Sequence, residues 1–233
     1  MRPQSLPHGQ TAYERMGRRW LGLGNLDAPC WFVGLEPGGS ERPDWPEVWE
    51  ERYSSAEVVD PRDLSDPDYG KLFGPGALPQ RTWEALIRIR LSYAGGPADD
   101  VACLRYQRER FASGSVLGLR EGEALLELSA YAAKNLAVEV PRDQFVLERV
   151  KRMRELLAEY RPETLVCYGL SRRWYFQELC GGLFDANGFR WSGTTLCALT
   201  LHPTPRHQAA HPPEYWLALG AEMRRRVQAA RET

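Results

Sequence analysis

Residues 31–40 read WFVGLEPGGS, and this stretch decides the fold. With Cys30 ahead of them, Trp31, Phe32 and Val33 form a short apolar run without alternation, the pattern of a strand buried on both faces. The run stops at Gly34. An acid, Glu36, then stands before the turn-forming Pro37, Gly38, Gly39 and Ser40. Two more runs behave alike: Thr164 to Tyr168 ends at Gly169, and Thr195 to Leu201 ends at His202-Pro203. A fourth, Ala124 to Leu128, fits strand or helix.

Helical periodicity fills the intervals. Gln80 to Tyr93 brings Trp83, Leu86, Ile87 and Leu91 toward one face, and Gln144 to Tyr160 does the same with Phe145, Val146, Val150, Met153, Leu156 and Leu157. Ser171 is the expected N-cap of a helix carrying Trp174 and Tyr175. Pro212-Pro213 opens a last helix that runs to about Arg231. Strands alternating with helices predict βαβ units: a mostly parallel sheet with helices on both faces, a three-layer α/β/α arrangement. Ligands of such sheets bind beyond the carboxyl ends of the strands. GLEPGG (34–39), YGLSRR (168–173) and HPTPRH (202–207) are therefore expected to converge on one edge. The Pro-, Asp- and Gly-rich stretch from Ser40 to Gln80, with Trp45, Trp49 and Phe73, reads as a long packed loop near that edge.

The chain has 233 residues, 43% hydrophobic and 26% charged, with a net charge of -1. That suits a single globular domain over 1–233 and neither favours nor excludes a nucleic-acid partner. No run approaches the roughly 20 apolar residues of a membrane span. MRPQSLPHGQ at the start lacks the apolar segment of a secretion signal, so a cytoplasmic, monomeric protein is expected. The five cysteines (30, 103, 167, 180 and 197) are scattered without a C-x-x-C pair, which favours reduced, buried thiols over disulfides, a metal centre or a cluster. No cofactor is called for.

The second motif is LTLHPTPRHQAAHPPEYW, residues 199–216, holding three of the four histidines. Gly34, Glu36, Pro37 and Gly38 at one strand end, then His202, Pro203, Thr204 and Pro205 at a later one, resemble the uracil-DNA glycosylase superfamily. Between them, TLVCYGLSRR resembles its penultimate strand, and order and spacing agree over roughly residues 28–220. The branch whose cysteines hold an iron–sulfur cluster is not matched.

The resemblance implies a central, mostly parallel four-stranded sheet flanked by helices. It also implies hydrolysis of the N-glycosidic bond of a damaged or deaminated base flipped out of double- or single-stranded DNA. Breaking that bond leaves positive charge on the sugar and negative charge on the base. Glu36 matches the residue that holds the sugar cation and orients water, and His202 the donor that stabilises the departing base. Gly34, Leu35, Pro37, Gly38, Trp49 and Glu127 match the base pocket. Gly39 and Ser40 would offer backbone N–H groups to a phosphate. Thr204, Pro205 and Arg206 match the loop that enters the duplex, Arg206 filling the gap.

One departure bears on substrate. The superfamily's uracil reader is an Asn, whereas LLEL places Glu127 there, and a carboxylate repels O4 of uracil unless protonated. Asn135 is an alternative reader, and Trp45 an alternative to Trp49. A non-catalytic nucleic-acid or nucleotide-binding protein of the same fold is the other reading. For His207 and His211, spaced H-x3-H, a loop is favoured over a metal site by Pro212 and Pro213. Arg224, Arg225 and Arg226 read as the wet face of the last helix.

Overall fold

The computed structural model describes residues 11–35, 45–53, 56–59, 73–109, 111, 122–131, 145–203 and 212–232. In chain order the helices are α1 (Ala12–Arg19), α2 (Trp45–Tyr53), α3 (Arg81–Ala94), α4 (Asp100–Glu109), α5 (Val146–Tyr160), α6 (Arg173–Cys180) and α7 (Pro213–Arg231). The strands are β1 (Gly22–Gly24), β2 (Cys30–Gly34), β3 (Val58–Val59), β4 (Glu123–Glu127), β5 (Thr164–Tyr168), β6 (Phe189–Ser192) and β7 (Thr195–Thr200).

Among the described residues all seven strands belong to one sheet, in the order β3-β1-β4-β2-β5-β7-β6. The four at its middle run parallel, and β1 and β6 pair antiparallel to β4 and β7. The fold is α/β as expected, but the sheet has seven strands where four were expected. The additions lie toward its edges, where Gly22–Gly24 and Val58–Val59 are too short to carry a hydrophobic period and Phe189–Ser192 is only half-buried. The stretch read as one long loop contains α2 and β3.

Side chains of the middle strands alternate strictly between two cores. Cys30, Phe32, Leu125, Val166, Tyr168, Leu196 and Ala198 face one side, where Trp83, Leu86 and Ile87 of α3 and Trp216, Met223 and Val227 of α7 cover them. Trp31, Val33, Ala124, Leu126, Leu165, Cys167, Cys197 and Leu199 face the other, under Val150, Met153 and Leu157 of α5 and Phe176 and Leu179 of α6. Helices thus cover both faces, which is why the strands are apolar throughout. Each large apolar side chain so buried stabilises the fold by about 1.5–3 kcal/mol before conformational entropy is counted. All five cysteines are free and buried within these layers.

Local signals explain the helix ends. Thr11 and Glu14 form a reciprocal capping box at the start of α1. Gln80 caps α3 through Trp83 N, and Gly95 ends it with φ 79°, the left-handed conformation glycine adopts without penalty. Ser171 does not cap a helix: a 3-10 turn spans Leu170–Arg172, and α6 begins at Arg173 without a side-chain cap. Where α3 crosses α7, a Cβ at Gly220 would stand 2.3 Å from the Ile89 carbonyl oxygen, so the two backbones touch there. At the amino end of β4, the fully buried Glu123 accepts from Tyr106 Oη at 2.5 Å, with Arg90 Nε 3.2 Å away. Burial first, then the charge of Glu123, holds the Tyr106 phenol well above its usual range. Among the described residues no helix is long and apolar enough to cross a membrane.

Candidate functional site at the carboxyl edge of the sheet

Register brings the sequence-designated residues together. Gly34 at the end of β2 pairs with Glu127 at the end of β4, and Tyr168 at the end of β5 pairs with Thr200 at the end of β7. The alignment continues past the strands. Leu128 N donates to Gly34 O and Ser129 N to Leu35 O, both at 3.0 Å, and Gly169 N donates to Thr200 O at 3.0 Å. The segments leaving β2, β4, β5 and β7 therefore start from one edge.

At that edge Gly34, Glu127 and Tyr168 share the parity of the face that carries α3 and α7. Tyr168 Oη donates to Glu127 Oε1 at 3.3 Å. Both groups lie over Gly34: a Cβ there would be 2.3 Å from Glu127 Oε2 and 2.4 Å from Tyr168 Oη. Burial of the Tyr168 ring, then the Glu127 charge, pushes its phenol well above the ordinary value, so it remains a donor. The half-buried His202 sets its ring edge-on to Tyr168, centroids 5.3 Å apart. Glu127, Tyr168 and His202 thus form a row along the strand ends.

Behind the row lies Arg149 of α5, 1% exposed. Its guanidinium donates to four main-chain carbonyls: Leu128 and Gly17 at 2.9 Å, Glu127 at 2.7 Å, and Trp20. Burial lowers its pKa to about 10, against the support of the Glu127 charge, so it is a cation at neutral pH. It ties the carboxyl end of β4 to the end of α1 and puts positive charge beside Glu127. Leu35 packs on the neighbouring turn, since a Cβ at Gly169 would lie 2.8 Å from Leu35 Cγ. Thr200 Oγ1 and Tyr215 Oη are hydrogen-bonded at 2.8 Å, which couples the end of β7 to α7.

Of the expected site residues, Gly34, Leu35, Glu127 and His202 meet at this edge. Trp49 is 1% exposed in the core with Trp20 and Met16, its ring enclosed by protein. Glu36, Pro37, Gly38, Gly39, Ser40, Thr204, Pro205 and Arg206 lie outside the described residues, as do Asn135, His207 and His211. Tyr168 and Arg149 are additions. The period of two alone would have flagged Tyr168, which shares its face with Val166 at a strand end. Arg149 had only a weak signal, a charged residue beside Val150 on the apolar face of α5.

Among the described residues no group of three or more His, Cys, Asp or Glu is placed to hold a metal ion. A groove of about 740 Å³ lies at the opposite edge, between Pro29, Tyr160, Glu163, Trp191 and Arg231. There Glu163 and Arg231 pair with each other.

No protein-family model matches the chain, and no curated protein is significantly similar to it.

Proposed function

We propose that the chain is a DNA glycosylase related to the uracil-DNA glycosylase superfamily, which hydrolyses the N-glycosidic bond of a base flipped out of DNA. What carries the reading is the row of Glu127, Tyr168 and His202 over Gly34 at the carboxyl ends of adjacent parallel strands. Two motifs read separately from the sequence lead to that edge, and open α/β sheets bind ligands at such edges. The parallel run of β4, β2, β5 and β7 at the middle of the sheet suits the same superfamily.

In this mechanism the bond between the sugar C1′ and the base nitrogen breaks heterolytically, and the pair of electrons leaves with the base. By the resemblance, Glu36 would stabilise the sugar cation and take a proton from the water whose oxygen bonds to C1′. His202 donates a hydrogen bond to the base as negative charge develops on it; the departed anion is then protonated by solvent, to which Glu36 returns the proton taken from water. Glu127 reads the edge of the base, and Arg206 fills the gap in the duplex.

The test is release of uracil, hypoxanthine, xanthine or mismatched thymine from single-lesion duplexes by wild type, Glu36→Ala and His202→Ala. His202→Ala is expected to lose at least about 100-fold in rate, as when an electrostatic donor to a developing anion is removed. Absence of abasic sites from every substrate, where a known glycosylase works, removes the reading.

One observation favours a second reading, binding without hydrolysis: the base-reading position holds a carboxylate, not an amide. Salt-dependent binding without turnover, unaffected by Glu36→Ala, selects it.

A further inference from the structure

Beyond Tyr168, the motif YGLSRR has no part in the row, yet it leaves β5 at the same edge. Gly169 N donates to Thr200 O, Leu35 packs on Gly169, and the 3-10 turn Leu170–Arg172 leads into α6. Trp174, in the first turn of α6, is 55% exposed and Leu170 is 47% exposed, although both are large apolar side chains. Trp174 sets its ring edge-on to Tyr175, centroids 5.0 Å apart, and Tyr175 is half-buried against the core under α5 and α6. The Arg172 guanidinium stands 5.9 Å from the same Tyr175 ring. The indole is thus anchored through Tyr175 while much of it meets water. Charge also sets this patch apart. Arg152, Arg225 and Arg231 pair with carboxylates. Arg173 is exposed and, among the described residues, its guanidinium has no hydrogen-bond or ion-pair partner. No acid stands in the first turn of α6, and the one acid of that helix, Glu178, lies in its last turn.

An exposed indole beside an open guanidinium suits an unpaired nucleotide: the ring stacks on the base, and the cation binds phosphate. A base inside a duplex has both faces covered by its neighbours, so an indole on the rim meets a base face only where the strand is unpaired. Resting on the glycosylase reading, we propose that Leu170–Trp174 is a second nucleotide subsite, which takes an unpaired nucleotide of the DNA strand that carries the target base. Trp174 stacks on that base, Leu170 adds apolar surface beside it, and Arg173 binds the neighbouring phosphate. Arg172 braces the Tyr175 ring on which Trp174 rests. An open cation adjoining a candidate base site favours a polyanion over a protein as the occupant. The protein consequently prefers single-stranded DNA, or a single-stranded flank, to a continuous duplex.

The experiment measures equilibrium binding of three lesion-free oligonucleotides: a single strand, the same sequence as a duplex, and the same strand with every base replaced by an abasic analogue. Wild type is expected to bind the single strand most tightly. Trp174→Ala should weaken that binding by about 5- to 150-fold, the span for loss of one stacked base. It should leave the abasic strand unaffected, which has nothing to stack. Trp174→Phe should restore most of the affinity. Arg173→Gln should weaken binding of the normal and abasic strands alike and lower the slope of log K against log[salt] by roughly 0.7. Equal effects of Trp174→Ala on the normal and abasic strands, an effect on neither, tighter binding of the duplex, or no DNA binding at all overturns the proposal. An effect on neither is what a surface for a protein partner predicts. Base release from single-lesion strands is scored in parallel. If none occurs while Trp174 separates the normal from the abasic strand, the glycosylase reading falls and the subsite stands as part of binding without hydrolysis. Release without that separation keeps the glycosylase and removes the subsite.

Discussion

Replacing Gly34 by Ala tests the geometry of the edge most directly. Gly34 does not have a left-handed backbone, so the change brings no conformational strain and acts through space alone. The added Cβ would lie 2.3 Å from Glu127 Oε2, 2.4 Å from Tyr168 Oη and 2.5 Å from Tyr168 Cζ. All three are well inside van der Waals contact. Tyr168 is 3% exposed and packed into the core, so its ring cannot retreat without moving its neighbours. β2 cannot shift either, being bonded on both sides to β4 and β5. The strain of overpacking costs about 1–3 kcal/mol, and at roughly 2–4 °C per kcal/mol for a chain of this size the Tm falls by roughly 2–12 °C. Calorimetry of the wild type, Gly34→Ala, and both forms in a Tyr168→Leu/Glu127→Ala background measures the coupling. In that background the alanine is expected to cost under about 0.5 kcal/mol, because the atoms it strikes are gone. An unchanged cost there would refute the steric reasoning.

Two further outcomes follow from buried and paired charge. Arg149→Met withdraws the donors from four carbonyls in one step and should destabilise the protein by roughly 3 kcal/mol or more in urea unfolding, with Arg149→Lys between; a loss under about 1 kcal/mol would show that water replaces the guanidinium. Hydrogen bonds from Arg225 and then Arg226 hold the Glu222 carboxyl down at about 2. The unfolded chain, with a value of about 4.3, takes up the proton first on acidification. The Glu222 contribution is therefore present above about pH 4.5 and disappears as pH falls through 4 to 2. It is small, because the pairs are exposed. The stability difference between wild type and Glu222→Gln should close over that window; a difference independent of pH would exclude the ion pairs as its source.

The middle of the sheet was legible because its strands are buried on both faces. Such strands read as unbroken apolar runs, and Thr164–Tyr168 was bounded correctly on that basis. Glu123–Glu127 was ambiguous because a short apolar run has no period that separates strand from helix. The edge strands were invisible for the opposite reason: β1 is Gly-Leu-Gly, and main-chain pairing with β4 makes it a strand, not its composition. α2 was read as loop because Pro46 and the acidic residues around it mask a helix whose buried face includes Trp49. At the site, the convergence of Gly34, Tyr168 and His202 was expected from parallel topology, whereas Glu127 was placed there by the resemblance. The contact between Tyr168 and Glu127 required the register, which no local pattern specifies.

The order of the strands has a consequence for how the protein comes into being. Cys30 of β2 pairs with Glu123 on one side and Thr164 on the other. The first central strand to be synthesised must therefore wait, apolar and unpaired, until much of the chain has followed it. Closing such long loops is entropically costly, and sheets assembled from distant segments fold slowly. While it waits, β2 is a strand edge open to pairing with another chain. The row at the carboxyl edge is completed only when β7 delivers His202. The candidate site is thus among the last features to form, and a nascent chain released before Thr195 would carry Glu127 and Tyr168 without the histidine beside them.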